Sequence, residues 1–411
     1  MQILFMADFR LSDSEQALYE RAMEFARKEI VPRAIELDIA NEVPVDICQK
    51  AYEAGFMNLH IPKEAGGPHN TLFEETLIYE AMGYGDPGVA TSINVNNLAF
   101  APLVIGATIE QLQKYVQPMI TSEKARFGAF CLTEREAGSD ASATKTTAVR
   151  DGDEWVINGT KCWITNAPVA DLFTVFAQTE PGSGYKGMAV FMVPKDAGVK
   201  IGHIENKLGQ RASQQSEVIF ENVRIPEDCL VGEVGRGFHI AMMTLDMTRT
   251  GIASIATGVC QRALDEASRF ANTRIAFGKP IIRNQGISFT LADMAAKAHS
   301  ARLATRHAAW LADNKLPGLG MDSAIAKLLA SDYAMQNTTD AIQIMGGYGY
   351  AIEYGMETLF RGAKLLQIYE GTNQIQRIVI ANELSKRAKT LDTGFRLNYP
   401  GVDAPDHSFK Q

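Results

Sequence analysis

The chain has 411 residues, of which 46% are hydrophobic and 21% charged, and its formal net charge is −8. This length and composition are typical of a globular protein with two or three domains. The acidic balance and the lack of a long Lys/Arg block argue against nucleic acid as a partner, since phosphate binding requires a basic stripe. The sequence contains no uninterrupted apolar run of about 18 residues, so we expect no membrane span and no membrane partner.

The N-terminus and the cysteines both favour a cytoplasmic protein. The first residues form neither a basic segment nor a long apolar run, and Asp8 and Arg10 follow them at once, unlike a secretory signal or transit peptide. The five cysteines are dispersed and include no Cys-x-x-Cys pair. That pattern is typical of reduced thiols and argues against a disulfide scaffold or a zinc ribbon.

Hydrophobic periodicity divides the chain into three parts and a tail. Up to residue 124, apolar residues recur every three or four positions, as at Leu18, Ala22 and Phe25, which predicts helices. Between 125 and 234 the period falls to two, which predicts a β domain with a hairpin turn at Asn158-Gly159. Long helices return between 235 and 390, and we predict that 391–411 form an irregular tail. The fold class is therefore α+β, in the order helical, β, helical.

Two common kinds of ligand site are disfavoured. The string GSGYKG at 182–187 matches G-x-G-x-x-G, but it lies between two predicted strands and no helix follows it, so we interpret it as a hairpin loop. Alternating βαβ units are also absent, which argues against a doubly wound nucleotide fold. The seven histidines are scattered, and His299 and His307 lie eight positions apart, too far for an i,i+4 metal pair. We expect no metal site.

Six short motifs carry side chains suited to a flat cofactor, a nucleotide or a thioester. They are CLTEREAGSD at 131–140, WITNA at 163–167, DMTR at 246–249, RIAFGKPI at 274–281, QIMGGYGY at 343–350 and YEGTNQIQR at 369–377. Each motif alone has a commoner explanation, such as a solvated turn, core packing or a surface ion pair. Glu370 is a candidate general base in a turn that the adjacent glycine makes accessible. A lone glutamate at a helix start could, however, merely complement the helix dipole.

Together and at their spacing, the six motifs resemble those of the acyl-CoA dehydrogenase flavoprotein family over residues 11–387. The resemblance implies an N-terminal helical domain, a central β domain and a C-terminal four-helix bundle. It also implies FAD-dependent α,β-dehydrogenation of an acyl-CoA thioester to a trans-2-enoyl-CoA. An electron-transferring flavoprotein is the expected electron acceptor.

The resemblance assigns roles to individual residues. Glu370 matches the base that removes the α-proton, while the β-hydrogen leaves as hydride to flavin N5. The implied FAD contacts are Cys131, Leu132, Thr133, Ser139, Trp163, Ile164, Thr165, Arg274, Phe277, Gln285, Gln343, Gly346, Gly347, Thr372 and Gln374. Four of these would come from a neighbouring subunit (Arg274, Gln285, Gln343 and Gly347), which implies a homotetramer built as a dimer of dimers. The implied substrate contacts are Ser139, Asp246, Arg249, Tyr369 and Gly371.

Two departures from the family pattern bear on the base and on the substrate. Some relatives carry the base at the position of Thr248, and since threonine cannot serve, we expect Glu370 to be the base. The segment matching 88–98 lines the acyl cavity in relatives. Here Val95 stands where medium-chain members tend to have glycine, and Asn94 and Asn96 add polarity, although Val95 and Asn94 could equally face away.

We therefore expect a short, branched or mildly polar acyl chain. Two alternatives stay open. One is an enoyl-CoA reductase that runs the reaction in reverse, and the other is a non-oxidising acyl-CoA lyase on the same fold.

Overall fold

The structure, a computed structural model, describes residues 10–389. Residues 1–9, in the N-terminal segment for which we predict no targeting signal, lie outside the described residues. The predicted irregular tail at 391–411 also lies outside them. Within 10–389 the chain forms a helical layer, a β-sheet and a second helical layer. The predicted α+β class is confirmed. The proposed domain limits at 124 and 234 fall in the connections on either side of the sheet.

The described part of the N-terminal layer contains seven α-helices. They are α1 (Asp13–Phe25), α2 (Ala34–Ala40), α3 (Val45–Glu53), α4 (Leu72–Gly85), α5 (Pro87–Gly106), α6 (Ile109–Tyr115) and α7 (Gln117–Ile120). Helix α4 begins with a capping box in which Thr71 accepts the N–H of Glu74 and the Glu74 side chain accepts the N–H of Thr71. Asp86 caps α5 by accepting the N–H groups of Gly88 and Val89.

Helix α5 is the central helix of this layer. It carries no charged side chain, and its length and mean hydropathy of 1.3 would suffice for a membrane span, the one such helix within 10–389. However, 83% of the relevant window is buried inside the protein, against α4, the sheet and the C-terminal helices. This is the environment of a core helix, and it explains why α5 needs no polar face.

The sheet occupies the middle of the chain. Its strands are β1 (Gly128–Cys131), β2 (Thr147–Asp151), β3 (Glu154–Thr165), β4 (Leu172–Gln178), β5 (Met188–Pro194), β6 (Lys200–Ile204), β7 (Gln215–Pro226) and β8 (Leu230–Val231). They run in the order β6-β7-β3-β2-β4-β5-β8, with β1 added to β4 as a parallel neighbour. The predicted hairpin loop at 182–187 connects the antiparallel strands β4 and β5, and no helix of the nucleotide-binding kind follows it.

The predicted hairpin turn at Asn158-Gly159 is wrong. Strand β3 continues through both residues, and the loop that joins it to β2 begins instead at Gly152, whose φ is +63°. At Asn158 the register between β3 and β7 shifts, and its side-chain oxygen accepts the N–H of Asn222. The Asn-Gly pair therefore forms a β-bulge, because pairing with β7 overrides the local turn preference.

The C-terminal layer consists of long helices. They are α8 (Gly237–Thr273), α9 (Gln285–Asp313), α10 (Leu319–Met345), α11 (Gly347–Tyr350), α12 (Met356–Leu366) and α13 (Asn373–Ala388), with a small hairpin of β9 (Ile275–Ala276) and β10 (Lys279–Pro280) after α8. Glycines let α4 cross α8 at close range: a Cβ on Gly83 would lie 2.3 Å from the carbonyl oxygen of Ile255, and one on Gly258 would lie 2.1 Å from that of Glu80. The two helical layers thus share one hydrophobic core.

Candidate active site

Glu370 lies in the turn between α12 and α13. Glu370 has a φ of +50° and Gly371 a φ of +87°, so two consecutive residues are left-handed. This conformation costs a non-glycine residue about 1–2 kcal/mol, so its surroundings must enforce it. Thr372 then caps α13 by accepting the N–H of Ile375 at 3.3 Å. The turn thereby directs the Glu370 side chain away from the axis of α13 and towards α8.

The environment of the Glu370 carboxylate suits a general base. The hydroxyl of Thr248 on α8 donates to its Oε2 at 2.8 Å. Burial raises the pKa of Glu370 to about 7, although Thr248, Arg249 and Lys327 each act to lower it. A carboxyl group with a pKa near neutrality is partly ionised at neutral pH and binds a proton readily, as general-base catalysis requires.

The turn is anchored by two buried side chains that sequence analysis missed. The amide nitrogen of Gln376 donates to the carbonyl oxygens of Glu370 at 3.1 Å and Gly371 at 2.8 Å. The ammonium of Lys327 on α10 donates to the Gly371 carbonyl at 2.9 Å. Both residues are fully buried. A signal was present for Lys327, because it is a lone charge in an alanine-rich stretch of α10, where an unpaired lysine would be costly.

Tyr369 connects the turn to α5. Its hydroxyl lies 3.2 Å from the hydroxyl of Thr91, which in turn donates to the side-chain oxygen of Gln210 at 3.0 Å. Burial raises the pKa of Tyr369 well above its ordinary value, so the phenol stays neutral. The turn residues Tyr369 and Glu370 are therefore held between α5, through Thr91, and α8, through Thr248.

One helical turn further along both helices, α5 and α8 meet at Asn94 and Gly251. The Asn94 amide nitrogen lies 3.3 Å from the position that a Cβ on Gly251 would occupy, and the Tyr79 ring lies 3.6 Å from the same position. Asn94 is buried, yet its amide has no hydrogen-bond partner among residues 10–389. The Tyr79 hydroxyl is likewise buried without a partner in that range. Three residues of helix span about 4.5 Å, so this contact lies close to the Tyr369–Glu370 pair.

The other two residues of α5 noted in the sequence, Val95 and Asn96, do not make this contact more polar. The Asn96 amide is fully used, since it donates to Asn58 and to the Arg126 carbonyl and accepts the N–H of Gly128. The expectation that Asn96 makes the acyl cavity more polar is therefore wrong, because its side chain joins α5 to the start of the sheet. Val95 is buried.

The β domain presents an aromatic face and hydroxyl groups at the end of β3. Trp163 has a φ of +61° and remains 55% exposed, which is unusual for a large aromatic side chain in a sheet. Thr165 accepts a hydrogen bond from the Gln215 amide at 3.1 Å and so keeps its own hydroxyl hydrogen for another partner. The Thr133 carbonyl accepts the N–H of Cys162 at 2.9 Å, which fixes Thr133 beside this strand.

These groups fit a planar heterocycle with hydrogen-bonding edges, as a flavin ring requires. Three of the predicted FAD contacts have core side chains and could contribute only backbone atoms: Cys131, Leu132 and Ile164. Ser139 lies on an exposed loop after β1, and Gln374 is exposed on α13.

A buried ion pair supports the segment beneath Thr133. The fully buried Lys161 ammonium lies 2.7 Å from the Glu134 carboxylate and donates to the Leu132 carbonyl at 3.1 Å and to the Thr144 hydroxyl at 2.8 Å. Burial alone would raise the pKa of Glu134, but Lys161 and Thr144 overcome this effect and lower it to about 2. The pair therefore fixes the backbone on both sides of Thr133.

Two predicted substrate residues form an ion pair on α8. Arg249 donates to Asp246 at 2.5 Å, and Arg249 is only 4% exposed. Its Nε–H has no partner among the described residues. Burial raises the pKa of Asp246, against the lowering effect of Arg249. Arg249 lowers the pKa of Glu370, so its guanidinium lies near enough to act on that carboxylate.

The remaining predicted FAD contacts are at the far end of the C-terminal helices. Gln343 lies sixteen residues beyond Lys327 on α10, about 24 Å along the helix axis. Around it lie the other members of this exposed set: Arg274, Phe277, Gln285, Gly346 and Gly347. Phe277 is 99% exposed, and a Cβ on Gly346 or Gly347 would meet nothing within 4 Å. Within one chain, the structure does not bring this set to Glu370.

Comparison with known proteins gives matches along nearly the whole chain. Models of the N-terminal, middle and C-terminal domains of acyl-CoA dehydrogenases match residues 12–123, 129–223 and 235–385. The mitochondrial short-chain specific acyl-CoA dehydrogenase of Sus scrofa is 44% identical over 378 residues, which are 92% of this chain and 91% of the relative.

Solved structures agree with these matches. Butyryl-CoA dehydrogenase from Megasphaera elsdenii superimposes with a TM-score of 0.89 at 36% identity, covering 92% of this chain and all of the other. PigA, solved with FAD and proline, has a TM-score of 0.87 at 30% identity, covering 93% of this chain and all of the other. The resemblance expected from the sequence is thus confirmed, and the chain belongs to the acyl-CoA dehydrogenase family of flavin-dependent oxidoreductases.

Proposed function

We propose that this protein oxidises a short acyl-CoA thioester to the trans-2-enoyl-CoA, with Glu370 as the base that removes the α-proton. The observation that supports the assignment of the base is the left-handed Glu370 turn, whose carboxylate is half-buried and bonded to Thr248 and has a pKa raised to about 7. FAD is the cofactor, and when bound it accepts the β-hydrogen together with its electron pair. The substrate thus loses one proton and one hydride.

The chain's own residues prepare the proton transfer. An α-proton next to a thioester is weakly acidic, so the base must be ionised, close and fixed in position. Thr248 fixes the carboxylate, while Gln376 and Lys327 fix the carbonyl groups of the turn that carries it. Gly371 can approach a ligand closely because it lacks a side chain. Arg249, with a free Nε–H, is the nearest buried cation on α8 for a polar part of the substrate.

FAD would lie against the β domain. Trp163 offers the face of its indole, and Thr133 and Thr165 offer polar groups to the ring edge. The second set of predicted FAD contacts, around Gln343, lies about 24 Å along α10 from Lys327, which bonds to the turn of the base. We therefore propose a homo-oligomer, a dimer of dimers, in which a neighbouring chain supplies that set to the other end of the cofactor.

We propose a short acyl chain with a polar end as the substrate class, from the residues of α5 and α8 that lie beside the turn of Glu370. Asn94 and Gly251 meet only about one helical turn from the Tyr369–Glu370 pair, which limits the length of the chain. The Asn94 amide there bonds to no described residue, and the fully buried Tyr79 hydroxyl has no partner either, which is costly for a buried polar group. An acyl group with a hydroxyl, carbonyl or amide at its γ or δ position would satisfy them.

An anaerobic titration of the FAD-loaded protein tests the reaction. Acyl-CoAs from propionyl to octanoyl, together with 4-hydroxybutyryl-CoA and isobutyryl-CoA, are added while the flavin absorbance is followed. Bleaching by short acyl-CoAs that is lost in Glu370→Gln is the expected result. Oxidation of the reduced protein by enoyl-CoA with no bleaching by saturated substrates would favour the reductase instead. No redox change in either direction would favour the lyase.

The electron acceptor we propose is an electron-transferring flavoprotein, as expected for this family, and the cellular location we propose is the cytoplasm. All five cysteines are buried and free, as expected for reduced thiols. Reoxidation of the substrate-reduced protein by a purified electron-transferring flavoprotein, compared with reoxidation by oxygen, tests the acceptor. Equal rates with and without the flavoprotein would contradict it.

A further inference from the structure

Lys327 is a buried lysine that no part of the reaction described above uses as a reactant. It lies in the middle of α10 among small residues such as Ala326 and Ala330, and its side chain is fully buried. Its ammonium donates to the Gly371 carbonyl and to the side-chain oxygen of Asn373, each at 2.9 Å. Both acceptors belong to the segment that immediately follows Glu370.

The Asn373 side chain continues this network back to α10. Its amide nitrogen donates to the Ser331 hydroxyl at 2.9 Å and to the Asp332 carboxylate at 2.7 Å. Asp332 also accepts a hydrogen bond from Gln367 at 2.6 Å, on the other side of the turn. The residues before and after Glu370 are thus tied to one face of α10, with Lys327 at the position nearest to the base.

We propose that Lys327 is a positioning residue for Glu370, which both fixes the left-handed turn and supplies the positive charge that keeps the carboxylate ionised. The proposal rests on the role of Glu370 as the base. Lys327 would not touch the substrate or exchange protons with it. Its effect would pass through the turn it holds and through its electric field.

Two buried cations act on Glu370, Arg249 and Lys327, and both lower the pKa of its carboxyl group. Arg249 has the larger effect of the two, and it is itself paired with Asp246 at 2.5 Å. The acceptors that Lys327 bonds are uncharged, so its charge is available to the Glu370 carboxylate. Asp332, the remaining anion that acts on Lys327, is itself paired with Arg377 at 3.2 Å.

The directions of the pKa shifts of these groups agree with this interpretation. Burial lowers the pKa of Lys327 to about 7, while Glu370 and Asp332 raise it and Arg249 lowers it further. Each group therefore stabilises the charged form of the other. Removing the lysine charge should raise the pKa of Glu370 and leave less of it ionised at neutral pH.

The test measures proton transfer separately from oxidation. FAD-loaded protein in D₂O is incubated with butyryl-CoA, and deuterium at the α-carbon is followed by mass spectrometry between pH 5.5 and 9.5. Lys327→Gln keeps a hydrogen-bond donor without the charge, and Lys327→Met removes both. Lys386→Gln, at an exposed lysine on α13 paired with Glu383, is the matched control.

In Lys327→Gln we expect the rise of the exchange rate with pH to shift by about half to one unit towards higher pH. The exchange rate on the plateau at high pH should be nearly unchanged. In Lys327→Met the rise should shift equally, and the plateau should fall about tenfold because the turn is no longer fixed. Lys386→Gln should match the natural protein. A rise at unchanged pH in both Lys327 variants would overturn the proposal, and so would loss of FAD or of the native fold in both, because the lysine would then be a general folding residue.

The exchange experiment also distinguishes a failure of the Lys327 proposal from a failure of the proposed function. If the natural protein exchanges α-protons but acyl-CoA never bleaches its flavin, the dehydrogenase assignment fails while the Lys327 variants still test the positioning role. If the natural protein shows no exchange, or if Glu370→Gln exchanges as fast as the natural protein, Glu370 is not the base and the Lys327 proposal is overturned with it.

Discussion

Thr248 on α8 donates its hydroxyl hydrogen to the Glu370 carboxylate at 2.8 Å, across 122 positions of sequence. The contact opposes the effect of burial: burial raises the pKa of Glu370 to about 7, and the hydrogen bond favours the ionised form. Thr248 therefore helps to keep the candidate base ionised and fixes the direction of its carboxylate.

Replacing Glu370 by glutamine should abolish dehydrogenation without unfolding the protein. Glutamine has nearly the same shape and can still bond to Thr248, but it cannot accept the α-proton. We expect the rate of flavin reduction by butyryl-CoA to fall at least about a thousandfold in stopped-flow measurements. FAD content and the dissociation constant for acyl-CoA should remain within a few-fold of the natural protein. A variant with undiminished flavin reduction would show that another group removes the proton.

The pH dependence of kcat/KM should report the pKa of Glu370. The base must be ionised to accept a proton, so kcat/KM is expected to rise with pH through about 7. In Thr248→Val the bond that favours the carboxylate is lost, so the pKa should rise by up to about one unit. The loss of activity should then be several-fold at pH 6 and small at pH 9.

The matched control for this prediction is Thr273→Val, which removes a hydroxyl from the exposed end of the same helix, where it bonds only to backbone carbonyls. Its profile should coincide with that of the natural protein. A Thr248→Val profile that keeps its midpoint and loses activity equally at every pH would mean that the hydroxyl only orients the carboxylate.

The Glu134–Lys161 pair should contribute strongly to stability. Lys161→Met leaves a buried carboxylate without its cation, which typically costs about 3–5 kcal/mol of the free energy of unfolding. The pKa of Glu134 is lowered to about 2, so the stabilisation is present above the ordinary carboxyl pKa of about 4 and is lost as pH falls towards 2. Urea midpoints of FAD-saturated protein should therefore differ most at pH 7 and converge in acid.

The double variant Lys161→Met, Glu134→Gln is the control for the ion pair. Because it buries no unpaired charge, it should recover part of the lost stability. If Lys161→Met unfolds at the same urea concentration as the natural protein at pH 7, the pair makes no net contribution.

The sequence located the candidate base because its signal is local: Glu370, Gly371 and Thr372 are adjacent, and glycine next to a carboxylate at a helix start forms a compact motif. The groups that set its pKa come from elsewhere in the chain. Thr248 and Lys327 are an ordinary threonine and lysine on long helices, and only the packing of α8 and α10 around the turn brings them to Glu370.

The wrong expectations have the same physical origin. Asn158-Gly159 has the local preference of a hairpin turn, but pairing with β7 makes it a bulge. Asn96 and Asn94 are two positions apart on α5 and could not be distinguished by composition. The structure shows that the Asn96 amide is used by three partners, whereas the Asn94 amide has none among the described residues.

Asn94 should determine which acyl chains are accepted. Asn94→Leu keeps the branching and the number of side-chain heavy atoms but replaces an unpaired amide with a bulkier apolar end beside Gly251. We expect kcat/KM for butyryl-CoA to rise and that for 4-hydroxybutyryl-CoA to fall, so that their ratio changes about 10- to 100-fold, because a hydrogen-bonding pocket rejects a partner that leaves its polar groups unpaired. Tyr79→Phe should change the ratio in the same direction by a smaller factor. Equal effects of Asn94→Leu on both substrates would mean that the amide faces water rather than the acyl chain, and the preference for a polar end would then be withdrawn.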